Sequence, residues 1–164
     1  MRKTPAALVA LGGILGAVAM VVMCLGTLIP LATYVCPMLC CVLAAMVLKF
    51  CGKRIAWAWF AAVAILGLLL ATDKEAATVF LFLGNYPLIK PKMDKLPLRW
   101  LWKFLWFNLA VTVLYALLIF LMGMQHLLTE VQEVGMIGLA ITLLLGNITF
   151  ILLDLLLGNL RKIK

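Results

Sequence analysis

Apolar residues in this chain occur in long runs that short polar segments separate. Six such runs are dominated by aliphatic and aromatic side chains: 6–28, 31–50, 55–71, 76–89, 98–122 and 135–157. A helix of about 20 apolar residues crosses the hydrocarbon core of a bilayer. The pattern therefore predicts an all-α, polytopic membrane protein, a bundle of six transmembrane helices in a single domain that covers residues 1–164.

The fourth run, 76–89, is the shortest of the six. It has about 14 residues, so a complete crossing requires a tilt, a thinned bilayer or a broken helix inside the bundle. The break from Gly84 to Pro87 either exposes backbone groups for binding, as in discontinuous membrane helices, or simply ends the helix. Pro87, Pro91 and Pro97 then predict a loop in which no helix continues.

Basic residues are confined almost entirely to one side of the predicted bundle. Thirteen of the fourteen lysines and arginines lie near the two termini, between helices 2 and 3, and between helices 4 and 5. The exception is Lys74, which stands between Asp73 and Glu75. Because cytoplasmic loops are enriched in Lys and Arg, this asymmetry predicts that both termini are cytoplasmic.

Composition supports a membrane protein and excludes other classes. Hydrophobic residues make up 67% of the 164 residues and charged residues 12%, against roughly half and a quarter in soluble domains. The net charge of +8 does not indicate a nucleic-acid partner, because the basic residues form short groups between apolar runs. The expected partner is the lipid bilayer, and the expected location is the plasma membrane of a bacterium.

No arrangement typical of an enzyme is present in the sequence. It contains no phosphate-binding loop, no serine-hydrolase elbow and no HExxH motif. His126 has no second ligand at a metal-binding spacing, so neither a metal nor a cofactor is predicted. Cys36, Cys40 and Cys41 either carry metal or redox chemistry or fill space as small apolar side chains.

Helix 1 is rich in small residues, several of them one helical turn apart: Ala6, Ala10, Gly12, Gly13, Gly16 and Ala17. Small side chains let the backbone of a second helix approach closely and gain van der Waals contacts. That second helix belongs either to the same chain or to a separate subunit.

Polar residues in two places are candidates for contact with a small molecule. Those on the predicted outer side are Thr33, Tyr34, Asp73, Glu75, Gln125 and His126, and the candidate within helix 6 is Asn147. Polar side chains in the hydrocarbon region are costly unless they are paired or functional. The alternatives are ordinary loop polarity for the outer set and a hydrogen bond between helices for Asn147.

Asp154 lies near the predicted cytoplasmic end of helix 6. A carboxylate at this depth is expected either to form a structural ion pair or to couple to protons. The candidate basic partners are Lys103, Arg99 and Arg161.

The arrangement resembles the S components of energy-coupling factor (ECF) transporters, which are their substrate-binding subunits. The resemblance rests on the basic N-terminus, the small residues of helix 1, the exit at Pro30 and the tight basic turn from Phe50 to Arg54. It implies six membrane helices with cytoplasmic termini and capture of a vitamin or metal ion from the outer side. It also implies that small residues of helix 1 dock on a transmembrane coupling subunit, which acts with two ATPase subunits. The matching positions are Ala6, Ala10, Gly13 and Ala17.

Two functions follow as hypotheses from this pattern. The first is uptake, in which the protein captures a vitamin-like small molecule and partner ATPases drive its import. The alternative is a non-transporting membrane protein, an assembly or regulatory subunit that packs against partner helices. The connection between helices 1 and 2 is short and apolar, whereas many S components have a longer gating loop there.

Overall fold

The computed structural model describes residues 4–25, 32–120, 123 and 126–162, and all regular structure within them is helical. The all-α prediction is confirmed. The helices are α1 Pro5–Leu25, α2 Ala32–Cys51, α3 Lys53–Leu70, α4 Lys74–Leu83, α5 Tyr86–Met93, α6 Arg99–Phe120 and α7 His126–Lys162.

Within the part of the chain that the structure describes, four helices are long and apolar enough to cross a membrane. These candidate spans are Ala6–Leu25, Lys53–Leu70, Arg99–Phe120 and Ala140–Leu160, and Val35–Cys51 is a shorter apolar helix. Only 17% to 33% of the residues in each long span are buried, so most of their apolar surface faces outward. In water such a surface is unfavourable, whereas lipid tails accept it, and the chain is a multi-pass helical membrane protein.

The predicted fourth helix, 76–89, is wrong in its bounds, because α4 and α5 take its place and extend beyond both ends. Backbone angles stay helical through Gly84 (φ −66°, ψ −19°) and Asn85 (φ −79°, ψ −14°), so the break is a short turn between two helices. Pro87 has no N–H to donate to the carbonyl of Leu83, which explains an interruption at this point. The thiol of Cys41, on α2, contacts that carbonyl at 3.6 Å.

The predicted loop after the break is also corrected, since α5 contains both Pro87 and Pro91. Pro87 is the second residue of α5, where a backbone donor has no partner within the helix. Pro91 has no N–H to donate to the carbonyl of Pro87, so this short helix loses only that one hydrogen bond. The chain then leaves the helix after Met93, before Pro97.

The helices α4 and α5 form the centre of the bundle. One apolar core lies around Phe80 and joins α4 to α1, α2 and α3. A second core lies around Tyr86 and includes Phe107 of α6 and Phe150 of α7. A helix enclosed by neighbours does not need the length or the uniformly apolar surface of a lipid-facing span, which accounts for the short fourth run.

Contacts between distant residues bring several helix ends together. Lys49 of α2 donates a hydrogen bond to the carbonyl of Leu160 of α7 at 2.9 Å, and the Cys51 thiol contacts the carbonyl of Leu8 of α1 at 3.3 Å. Lys103 of α6 meets Asp94, the residue after α5, at 2.6 Å. We call this end of the bundle, which carries Lys49 and Lys103, the basic end. It contains the starts of α1 and α6 and the ends of α2, α5 and α7.

Two glycines permit turns that other residues disfavour. Gly52 alone separates α2 from α3 and has φ +87°, the left-handed region that glycine tolerates best. Gly135 (φ 67°, ψ 176°) interrupts the helical backbone of α7 and divides it into two parts. The predicted start of helix 6 at residue 135 coincides with this interruption.

The small residues of α1 divide between two faces. Gly12 is buried and Gly16 is half-buried against α3, whereas Ala6, Ala10, Gly13 and Ala17 are exposed. A Cβ atom at Gly16 would stand 3.3 Å from the indole nitrogen of Trp59, while one at Gly13 would meet nothing within 4 Å. Gly12 and Gly16 therefore fit packing within the chain. The four exposed residues fit docking on a separate subunit.

We predict that Gly16→Leu destabilises the bundle and that Gly13→Leu does not. A leucine at position 16 forces α1 away from Trp59, and overpacking of this kind typically costs about 1–3 kcal/mol. The free energy of unfolding in mixed detergent micelles measures the difference. Both variants replace glycine by leucine within one helix, so equal losses of stability would contradict the assigned α1–α3 contact.

Candidate functional site

Asp154 is the centre of a buried group of charges at the basic end. Its carboxylate accepts hydrogen bonds from the hydroxyl of Tyr86, the amine of Lys90 and the amine of Lys103, the last at 2.9 Å and 3.2 Å. The exposed fractions of Asp154, Lys90 and Lys103 are only 4%, 4% and 3%. With Asp94, these residues form what we call the Asp154 cluster.

Helical spacing places three members of the cluster on one face. Tyr86, Lys90 and Asp94 follow one another at intervals of one helical turn along α5 and its cap. Lys103 lies in the second turn of α6 and Asp154 near the end of α7. The cluster therefore ties three helices together at a single point.

The charges of the cluster balance. Two lysines face two aspartates, and Asp94 lies 2.6 Å from the amine of Lys103 and 3.9 Å from that of Lys90. An isolated ion in a low-dielectric interior costs several kcal/mol, and a close partner offsets much of this cost. Asp94 retains 30% exposure of its side chain, which places this edge of the cluster close to water.

Aromatic rings pack beside the cluster. The ring of Tyr86 lies 4.7 Å from that of Phe150 and 5.3 Å from that of Trp106, measured between centroids. Phe107 stacks on Phe150 at 4.6 Å. These rings belong to the second apolar core, and their packing holds the Tyr86 hydroxyl in reach of Asp154.

A second polar contact joins α6 to α7 farther from the basic end. The side-chain amides of Asn108 and Asn147 exchange hydrogen bonds at 3.0 Å and 3.3 Å. Asn147 also donates to the carbonyl of Leu143 at 2.8 Å. The structure thus gives Asn147 the interhelical hydrogen bond that was the alternative to ligand contact.

A groove of about 840 Å³ lies between α6 and α7 beside the Asp154 cluster. Its walls are mostly apolar and include Trp100, Phe104 and Ile151, while Arg99 and Lys103 supply positive charge and Asp94 a negative charge. A smaller cavity of about 300 Å³ lies between α2, α5 and α7 and is lined in part by Lys49 and Lys90. Both spaces adjoin residues of the basic end.

The predicted outer residues that the structure describes have partners of their own. Asp73 caps α4 by accepting the N–H of Ala76 at 3.0 Å, and Glu75 accepts a hydrogen bond from Tyr115 of α6 at 3.4 Å. Asn147 does not join these outer residues. It pairs with Asn108 of α6 and lines the groove. The side chains of Thr33, Tyr34 and His126, and the whole of Gln125, lie outside the described residues.

Three of the buried cysteines, Cys40, Cys41 and Cys51, contact backbone carbonyls of neighbouring helices. The thiol of Cys40 lies 3.6 Å from the carbonyl of Ala19, and those of Cys41 and Cys51 make the contacts given above. Among the described residues, no group of three potential metal-ligating side chains is present. These contacts agree with the interpretation of the cysteines as small packing side chains.

Sequence reasoning found part of the Asp154 cluster. It named Lys103 among the possible partners of Asp154, and the structure places it there. It also named Arg99, which lines the groove instead, and Arg161, whose side chain is outside the described residues. Tyr86 and Lys90 were missed because the nearby prolines indicated a loop, although the four-residue spacing of Tyr86, Lys90 and Asp94 was visible.

Comparison of the chain with protein-family models, curated proteins and solved structures found no match.

We predict that Asp154→Asn causes a large loss of stability. The substitution leaves two buried lysines facing only Asp94, and breaking a buried pair costs about 3–5 kcal/mol. Unfolding in mixed micelles measures the loss. Asp94→Asn is the matched control and is expected to cost less, because Asp94 is partly exposed. A larger loss for Asp94→Asn would show that Asp154 is not the main partner of the lysines.

We also predict that Asn108 and Asn147 are energetically coupled. The double-mutant cycle of Asn108→Leu and Asn147→Leu should give a coupling of about 0.6 kcal/mol, the average for hydrogen bonds between membrane helices. The pair Thr112→Val and Thr142→Val is the control, since each hydroxyl bonds only within its own helix in the described structure. Equal coupling in both cycles would count against the contact.

Proposed function

We propose that this protein is the membrane-embedded binding subunit of an ECF-type importer. It captures a vitamin-like small molecule from the outer side and has no enzymatic activity of its own. The observation that carries the proposal is the exposed small-residue face of α1, formed by Ala6, Ala10, Gly13 and Ala17. The S components that the chain resembles dock on their coupling subunit through small residues of helix 1.

The packing of α1 supports a docking role. Only 17% of its span is buried, the lowest share among the four candidate spans. Gly12 and Gly16 account for its approach to α3, so the small residues on the exposed face are not needed for that contact. A flat face without bulky side chains allows a partner helix to approach closely.

The basic end supports the orientation of the proposed importer. The contacts that join α1, α2, α5, α6 and α7 there agree with six crossings and with both termini on one side. By the preference of Lys and Arg for the cytoplasmic side, this end faces the cytoplasm. ATPase subunits would act at that surface.

We predict that Ala10→Leu with Gly13→Leu prevents docking. Affinity purification of the tagged protein from native membranes should recover a coupling subunit and two ATPases with the unaltered chain, and far less with the variant. The added bulk keeps a partner helix at a distance. Ala116→Leu, at an exposed position of α6, is the control and should leave recovery unchanged. Repeated purifications of the unaltered protein without ATPases would contradict the proposal.

A second candidate function is a non-transporting assembly or regulatory subunit. The observation that favours it is the structural use of polar side chains, since Asp154, Asn147 and Glu75 all link helices to one another. This candidate predicts that the purified protein retains no small molecule from the outer side. Mass spectrometry of molecules released on denaturation separates the two functions.

A further inference from the structure

We propose that the groove between α6 and α7 binds one anionic phospholipid from the leaflet at the basic end. The phosphate lies at Arg99, and an acyl chain follows Leu101, Phe104 and Ile151. This inference concerns a different surface from α1 and does not depend on the proposed import function.

The position of the groove favours an occupant from the bilayer. Most of its lining residues belong to the candidate spans Arg99–Phe120 and Ala140–Leu160, and Asp94, Leu96 and Leu98 complete it from the segment before α6. The exposed fractions of Leu101 and Phe104 are 60% and 53%. The volume of about 840 Å³ is within the range of roughly 300–1,000 Å³ that holds small ligands. It accommodates a headgroup and the upper part of one chain.

The charge at the mouth of the groove selects an anion. Asp94 also lines the groove, but its carboxylate lies 2.6 Å from the amine of Lys103 and 3.9 Å from that of Lys90. Lys103 is thus matched by Asp94 and Asp154, whereas no ion pair involves Arg99 among the side chains that the structure describes. Arg99 stands one helical turn before Lys103 and is exposed. A phosphate at Arg99 would therefore meet a positive charge that no described carboxylate neutralises, and guanidinium groups bind phosphate in bidentate geometry.

Trp100 places the mouth at the depth of lipid headgroups. Tryptophan is enriched where the hydrocarbon core meets water, because its ring is apolar and its N–H is polar. Trp100 lines the groove, is half-exposed, and has the amine of Lys103 at 5.2 Å from its ring centroid. Positive charge, interfacial aromatic ring and apolar channel thus follow one another in the order that a phospholipid presents phosphate, glycerol region and chain.

Native mass spectrometry of the full chain released from nanodiscs tests the headgroup contact. With equal amounts of phosphatidylglycerol and phosphatidylcholine, the one-lipid complex should favour phosphatidylglycerol by about fivefold, the contribution expected of one basic residue. Arg99→Gln should abolish this preference. Arg54→Gln is the matched control, because Arg54 is exposed at the start of α3 and does not line the groove.

A second pair of variants tests the chain-binding part of the groove. Ile151→Trp fills the groove and should lower the one-lipid complex severalfold, whereas Leu152→Trp, which adds the same ring at a position outside the lining, should not. Helical circular dichroism and a single size-exclusion peak confirm that each variant is folded.

Three results would overturn the proposal. The first is equal retention of the two lipids by the unaltered protein, and the second is an equal effect of Arg54→Gln and Arg99→Gln. The third is recovery of a soluble amphiphile or a partner helix in the groove in place of phospholipid. None of these results bears on whether ATPase subunits copurify with the protein.

Discussion

A single carboxylate shared by two ammonium groups constrains the rest of this bundle. Asp154 is almost completely buried, and its charge is tolerable only if Lys90 and Lys103 remain beside it. These lysines are 64 and 51 residues away in sequence and lie on other helices. The rotation and depth of α5, α6 and α7 at the basic end are therefore fixed relative to one another.

The interrupted central helix follows from this constraint. The turn at Gly84 and Asn85 starts a new helix at Tyr86, which places Tyr86, Lys90 and Asp94 on the side that faces Asp154. The interruption costs a backbone hydrogen bond at Pro87, and the Cys41 thiol offers the released Leu83 carbonyl a weak replacement. The same segment thus fills the centre of the bundle and supplies Tyr86, Lys90 and Asp94 to the Asp154 cluster.

A fixed basic end leaves two outward surfaces for interactions. The exposed small residues of α1 form one surface, and the groove between α6 and α7 forms the other. The first is flat and uncharged, and it suits a protein helix. The second is concave, apolar and positively charged at its mouth, and it suits a lipid. Their different chemistry allows both to act at once.

The sequence predicted lipid-facing helices better than buried ones. Lipid-facing spans such as Arg99–Phe120 require unbroken apolar runs, so hydropathy alone finds them. One helix, 76–89, and a following loop were predicted where α4 and α5 lie, because enclosure by protein permits Lys90, Pro87 and Pro91 where an isolated span would not. Asp154 was recognised as needing a cation, but the choice of Lys90 and Lys103 over Arg99 depends on helix rotation, which no local pattern encodes. The resemblance to S components stays a prediction.

Solid-state NMR of the protein in bilayers measures the central contact directly. With ¹³C-labelled aspartate and ¹⁵N-labelled lysine, nitrogen–carbon recoupling should show the Asp154 side-chain carboxyl carbon close to two lysine side-chain nitrogens. Both correlations should disappear in Asp154→Asn prepared with the same labels. A folded sample in which the Asp154 carboxyl carbon correlates with no lysine nitrogen would contradict the account.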